Sequence, residues 1–237
     1  MERYRTYSSY LKEIHGEKVY KLPLNIPVTC PNRIKSYGCS FCGGAGTGFE
    51  AMDAGVPVQE QLRKTKEKIA AKYHAGKFIA YFQNYTNTFL PLKQFREYLQ
   101  EAAEVEDIVG ISVSTRPDCI RRDYLEVLKE TGQNHDLKIT MEYGLQTVNY
   151  HTLREINRGH TLAEFLDAVL MTAPYGFDIC THVILNLPGD TLEDSIETAK
   201  ILSALPVQIT KLHSLYIPRG SRLYQDFEHG KITLCSK

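Results

Sequence analysis

The chain has 237 residues, with 28 Lys and Arg against 28 Asp and Glu, 43% hydrophobic residues and six cysteines. That length buries a full core, and a charged fraction of 24% excludes wholesale disorder and low-complexity or collagen-like sequence. No apolar run approaches the roughly 20 residues of a membrane span, and the first thirty residues carry both charge signs, unlike a secretory signal.

A cytoplasmic, reducing compartment is therefore expected, with no membrane partner. In such a compartment cysteines are read as metal ligands, catalytic groups or buried thiols before they are read as disulfides. The neutral net charge conceals basic ends: residues 1–35 carry seven Lys/Arg and three Asp/Glu, and residues 211–237 carry five and two. If they meet in space they could hold a phosphate-rich partner, although ordinary solvated surface explains them as simply.

In chain order, Val-, Ile- and Tyr-rich runs predict strands at 21–28, 77–83, 108–114, 138–144, 178–185 and 208–216. Helical spacing predicts helices at 58–74, 92–104, 122–131, 148–157, 162–172 and 192–205. Thr161 with Glu164 makes a capping-box pattern, Thr191 precedes another helix with Asp194 in its first turn, and Pro206 stops that helix. Strands alternating with helices imply an α/β fold with a parallel sheet. Six units suit a partial barrel or a doubly wound sheet, and in both the ligand loops follow the strand C-terminal ends. No linker or repeat divides the chain, so one domain over 1–237 is expected, with a lead-in over about 1–20 and a short tail over about 217–237.

Cys30, Cys39 and Cys42 fall in the loop after the first predicted strand. Three thiolates without a nearby fourth Cys or His are incomplete for structural zinc, but complete for a [4Fe–4S] cluster with one open iron. Zinc with a remote ligand and three plain thiols are the competing readings. Cys119, Cys180 and Cys235 lie elsewhere and receive no role.

Cys39-Ser40-Phe41-Cys42 resembles the cluster loop of the radical S-adenosylmethionine (SAM) enzymes. The eight-residue gap after Cys30 exceeds their usual three and is similar to the branch containing the elongator catalytic subunit. Tyr4–Ser8, Cys30-Pro31-Asn32-Arg33, Ser114-Thr115-Arg116-Pro117-Asp118, Asn157–Thr161 and Leu187-Pro188-Gly189 resemble the bacterial YhcC-like family over nearly the whole chain. The Cys30–Cys39 loop is shorter than that family's, and its usual C-terminal extension is missing from this sequence.

The resemblance implies a partial TIM-type (β/α)6 barrel, with cluster ligands Cys30, Cys39 and Cys42. It implies SAM contacts from Phe41, Gly43, Gly44, Asn84, Thr86, Ser114, Gln146, Arg158 and His182. Ser114 stands where relatives carry an acid toward the ribose, and a core role is the alternative for Phe41 and His182. Glu142 needs a buried partner, and Lys211 and His213 can share one strand face toward substrate or cofactor, or pair locally. The implied chemistry is reductive SAM cleavage to a 5′-deoxyadenosyl radical that abstracts hydrogen from substrate, fed by a low-potential flavodoxin or ferredoxin. A tRNA wobble uridine is the candidate substrate, and a small metabolite or peptide the alternative. No residue is assigned to the hydrogen abstraction itself.

Overall fold

The computed structural model describes residues 4–43 and 51–233. Six strands form one parallel sheet in the order β1 (Val19–Leu24), β2 (Lys77–Phe82), β3 (Ile108–Thr115), β4 (Lys138–Gln146), β5 (Asp178–Leu185) and β6 (Ile209–Ser214). Sequential neighbours that are all parallel require every crossover to run over the same face, so the sheet curls into a half-barrel.

The helices are α1 (Tyr7–His15), α2 (Pro31–Lys35), α3 (Val58–Tyr73), α4 (Leu92–Ala103), α5 (Arg122–His135), α6 (Tyr150–Glu155), α7 (Leu162–Thr172), α8 (Leu192–Ser203) and α9 (Arg222–Glu228). Thr161 and Thr191 complete reciprocal capping boxes with Glu164 and Asp194, as their sequences predict. Helix α1 lies inside the stretch expected as a lead-in. Its signal was present: Tyr7, Tyr10, Leu11 and Ile14 follow helical spacing behind the Thr6 cap. Strand β1 runs from Val19, two residues earlier than expected, and α5 extends four residues beyond its expected end.

Strand alternation explains where the site forms. Leu22, Leu24, Ala80, Phe82, Val113, Met141, Tyr143, Ile179 and Val183 point outward into the main apolar core with residues of the helices, including Leu62, Phe95, Leu128 and Phe165. The intervening residues face the lumen, and many are polar: Lys21, Tyr81, Ser112, Ser114, Glu142, His182, Lys211 and His213. At the strand N-terminal ends, α1 packs Leu11 against Val19 and Ile79, while Tyr10 donates to Asp178 Oδ2 at 2.7 Å. The lumen is thereby closed at one end, and the cysteine loop lies at the other. Among the described residues no helix is long and apolar enough to cross a membrane.

Candidate cluster and cofactor site

A cavity of about 520 Å³ occupies the lumen and opens at the strand C-terminal ends. Cys30, Cys39 and Cys42 all line it, so the first strand's loop delivers the three candidate ligands to one mouth. Pro31 starts the short helix α2 between Cys30 and Cys39, a position where its missing N–H costs nothing.

This loop is anchored from several directions. Asn32 Nδ2 donates to the Asn157 carbonyl at 2.6 Å, and Asn157 Nδ2 donates to the Gly38 carbonyl at 2.7 Å. The Ser40 amide donates to Ile156 at 2.9 Å, and the Leu223 amide at the start of α9 donates to Ser40 at 2.8 Å. Gly159 has φ +75, and a Cβ there would lie 2.7 Å from Asn32 Oδ1, so this junction needs glycine.

Donors also converge on the sulfurs. Arg33 Nη2 lies 3.3 Å from Cys42 Sγ, Arg158 Nη1 lies 3.5 Å from Cys39 Sγ, and Asn32 Nδ2 lies 3.6 Å from the same sulfur. Burial raises the Cys42 thiol, and the Arg33 guanidinium opposes that shift by favouring thiolate. Three thiols with cationic and amide donors behind them fit a thiolate-bound iron–sulfur cluster, whose sulfurs are commonly hydrogen-bonded. By contrast, burial pushes Cys119 up to about 12 and raises Cys180, which leaves both as protonated thiols. Cys235 lies outside the described residues.

The expected SAM contacts divide three ways. Phe41, Gly43, Thr86, Ser114, Gln146, Arg158 and His182 line the cavity together. Asn84 is buried but off the cavity wall, with Nδ2 3.4 Å from Asn25 Oδ1 and its carbonyl accepting from Asn87. Gly44 lies outside the described residues. Thr86 Oγ1 is buried with no hydrogen-bond partner among the described residues, a hydroxyl left for a ligand. Phe41 also packs against Leu153, Ile156 and Leu187, so it serves both readings offered for it.

Gln146 adopts φ +81 where the β4–β5 register shifts after Gly144. Such a bulge re-aims a side chain, here Gln146 at the cavity. Arg116 makes a two-pronged pair with Asp118 at 2.9 Å and donates to the Arg158 carbonyl at 2.7 Å. Asp118 thus serves to hold Arg116. Sequence reasoning gave no role to Tyr81, Tyr85, Tyr216 and Pro218, which also line the cavity. For Tyr81, the period-two pattern of β2 carries the signal.

Deeper in the lumen, Glu142 has no exposed side-chain surface. It pairs with Lys21 and accepts from Ser112 Oγ, while His182 Nε2 lies 2.7 Å from its other oxygen. His182 Nδ1 is 3.2 Å from His213 Nε2. Both ring nitrogens of His182 are therefore engaged by protein, leaving none for a ribose in this arrangement. Lys21 and Lys211 sit 4.6 and 5.3 Å from the Tyr81 ring centroid, and Arg222 lies 5.9 Å from that of Tyr37. Lys21 and Lys211, one from each basic end segment, thus meet over one lumen ring.

Comparison with known proteins places this geometry. The Radical SAM superfamily model matches residues 24–202. YtqA of Bacillus subtilis is 36% identical over 239 residues, covering 100% of this chain and 74% of its own length. YhcC of Escherichia coli is 34% identical over 225 residues, covering 92% of this chain and 70% of its own. Elongator complex protein 3 of Schizosaccharomyces pombe is more distant, at 26% identity with 87% and 42% covered. Among solved structures, Elp3 of the archaeon Methanocaldococcus infernus superposes with a TM-score of 0.68 at 14% identity, covering 92% of this chain and 50% of that one. Escherichia coli coproporphyrinogen III oxidase gives a TM-score of 0.61 at 19% identity, covering 98% of this chain and 52% of that one, so these likenesses speak for the fold. Enzymes of the matched family use a [4Fe–4S] cluster and SAM. The chain belongs to the radical SAM superfamily, alongside YhcC and YtqA.

Proposed function

We propose that this chain holds a [4Fe–4S] cluster through Cys30, Cys39 and Cys42 and cleaves SAM reductively, using an electron from a flavodoxin or ferredoxin. The observation that carries this reading is the delivery of all three cysteines, backed by Arg33, Arg158 and Asn32, to the mouth of one lumen cavity. When bound, the cluster and SAM supply a 5′-deoxyadenosyl radical able to abstract hydrogen from a substrate.

The chain's own residues bind and orient. Arg33 and Arg158 set guanidinium donors against the sulfurs of Cys42 and Cys39. Thr86 and Gln146 offer polar groups to SAM, Ser114 offers a hydroxyl toward its ribose, Phe41 offers a ring to pack against its adenine, and Gly43 lets the backbone approach the ligand. Arg158 is placed for the SAM carboxylate, although it already donates to Cys39 and Gly144, so it would share its fork.

The substrate reading is a tRNA wobble uridine. It is supported by the resemblance to the elongator branch and by the cationic Arg33, Arg116, Arg158 and Lys211 that line the cavity. Anaerobic reconstitution should give a brown protein with about four irons per chain, forming 5′-deoxyadenosine from SAM and reductant. Cys39→Ala should abolish both. Stoichiometric zinc without SAM cleavage would replace this reading with a metal-binding scaffold, and an unchanged tRNA nucleoside profile in cells lacking the protein would remove the wobble-uridine assignment.

A further inference from the structure

The lumen holds a second arrangement of functional groups that binding a cluster and SAM does not use. It runs from Glu142 on β4, through His182 on β5, to His213 on β6. These strands are neighbours, and the register sets Gly144 opposite His182 and Ile184 opposite His213. The chain of side chains therefore steps across the sheet from the buried floor to the cavity wall.

Its hydrogen bonds dictate where the protons are. An ionised carboxylate only accepts, so His182 Nε2 must carry the hydrogen directed at Glu142 Oε2. Glu142 is ionised: Lys21 and His182 hold it well below the ordinary carboxylate range against the opposing effect of burial. Burial lowers His182, which is therefore a neutral imidazole with its lone pair on Nδ1. That lone pair accepts from His213 Nε2–H at 3.2 Å. The remaining nitrogen, His213 Nδ1, is an acceptor, and among the described residues no hydrogen bond reaches it.

His213 and Lys211 both line the cavity, two residues apart on the same face of β6. We propose that His213 is an acid–base group of this site, accepting a proton at Nδ1 from a bound N–H or O–H acid while Lys211 stabilises the anion left behind. This rests on the reading of the cavity as the reaction site. In the step, the ligand's N–H or O–H bond breaks, its electron pair stays on the ligand atom, and the hydrogen forms the Nδ1–H bond of His213. The new positive charge can pass to His182 when the Nε2 hydrogen of His213 moves to His182 Nδ1. Glu142 balances that charge without being protonated, in the manner of the carboxylate of a Ser-His-Asp triad. His182 and Glu142 are thus positioning residues, and His213 is the catalytic one.

An overlapping trio of donors invites a metal reading, because ligand atoms of Glu142, Cys180 and His182 lie within 4.8 Å of one another. The geometry opposes it. Lys21 places an ammonium on one Glu142 oxygen, His182 turns an N–H toward the other, and the Cys180 thiol is held protonated.

The groups that set the basicity of His213 are His182 and Glu142 beside it, Lys211 on its own strand, and more distantly Lys21 on β1 and Tyr81 on β2. Burial, His182 and Lys211 push its pKa down to about 4, so it is unprotonated at neutral pH.

Two measurements on the reconstituted holoenzyme test the proposal. In carbethoxylation footprinting with diethyl pyrocarbonate, N-acetylhistidine should react about tenfold more slowly at about pH 5.5 than at about pH 7.5, following an ordinary pKa of about 6.5. His213 should change less than about twofold over that range, and should react faster than buried His160. A His213 that does not react would overturn the proposal, because its Nδ1 would then be closed to a bound acid.

The second measurement uses 2,4-dinitrophenol, a chromogenic O–H acid whose strength matches the depressed basicity of His213, at a pH near its own pKa. Wild-type holoenzyme should generate the phenolate difference band on binding. His213→Gln should reduce that band more than tenfold, and Lys211→Met should weaken probe binding. A full band with His213→Gln, or none with the wild type, overturns the assignment, and the footprinting arm decides without any variant if His213→Gln does not fold. Failure to assemble a cluster or cleave SAM would instead defeat the functional reading, and neither of these measurements depends on SAM cleavage.

Discussion

Arg158 Nη1 lies 3.5 Å from Cys39 Sγ while Nη2 of the same guanidinium donates to the Gly144 carbonyl at 2.7 Å. One planar fork thus ties a candidate cluster ligand to the end of β4, and couples the cysteine loop to the strand that presents Gln146. Lysine has a single compact charge and cannot reproduce that geometry.

Arg158→Lys should therefore fold but retain less iron and turn over SAM more slowly, and Arg158→Ala should be worse. The Gly144 carbonyl keeps His160 Nε2 at 3.0 Å, so the loss is that of one charge-assisted hydrogen bond, about 1.5–3 kcal/mol. Iron content after gel filtration, thermal melting and 5′-deoxyadenosine yield check the order wild type, Lys, Ala. Equal iron retention in all three would remove Arg158 from the cluster's support.

Gly144→Ala tests the same corner from the backbone. A Cβ there would lie 2.6 Å from Arg158 Nη2 and 2.8 Å from Gln146 Nε2, both ends of flexible side chains. The fold should survive with a loss of about 1–3 kcal/mol, while both side chains are pushed from their places. SAM affinity by equilibrium dialysis should fall by a larger factor than stability predicts.

Glu142→Gln removes the fully buried negative member of an ion pair with Lys21. Lys21 then loses its counter-charge and the neutral His182 its charged acceptor, and breaking such a pair from one side typically costs about 3–5 kcal/mol. Urea unfolding should show this loss at neutral pH. Combining Glu142→Gln with Lys21→Met should recover part of it, because the orphaned ammonium is gone.

His160 makes stability depend on pH in a defined window. Burial, then Arg158, push its pKa down to about 2, so it stays neutral in the fold while the unfolded chain protonates below about 6.5. The unfolded state then binds more protons, so stability is fully present above about pH 6.5 and falls below it. The slope is up to about 1.4 kcal/mol per pH unit from this group. Glu142 adds nothing there, since its depressed pKa acts only below the ordinary carboxylate range. The difference between urea midpoints at about pH 7 and pH 5 should shrink in His160→Gln, with His182, His213 and His15, whose basicity is also lowered, supplying the rest, and an unchanged difference would assign the acid sensitivity elsewhere.

Much of the architecture was legible in the sequence because it rests on local rules. Period-two strands, helical spacing and the Thr161–Glu164 and Thr191–Asp194 caps place six strand–helix units without reference to any distant contact. The cysteine spacing likewise marks Cys30, Cys39 and Cys42 as a set and separates them from Cys119 and Cys180.

Tertiary structure alone decided which polar residues share a space. Lys21, Glu142, His182 and His213 are spread over almost 200 positions and meet only because four strands curl around one lumen. The engagement of both His182 nitrogens, the orphaned Thr86 hydroxyl and the anchoring of the cysteine loop by Asn157, Arg158 and Leu223 have the same origin. Sequence periodicity assigns a side chain to a face, whereas the partner across that face depends on the register and curvature of neighbouring strands.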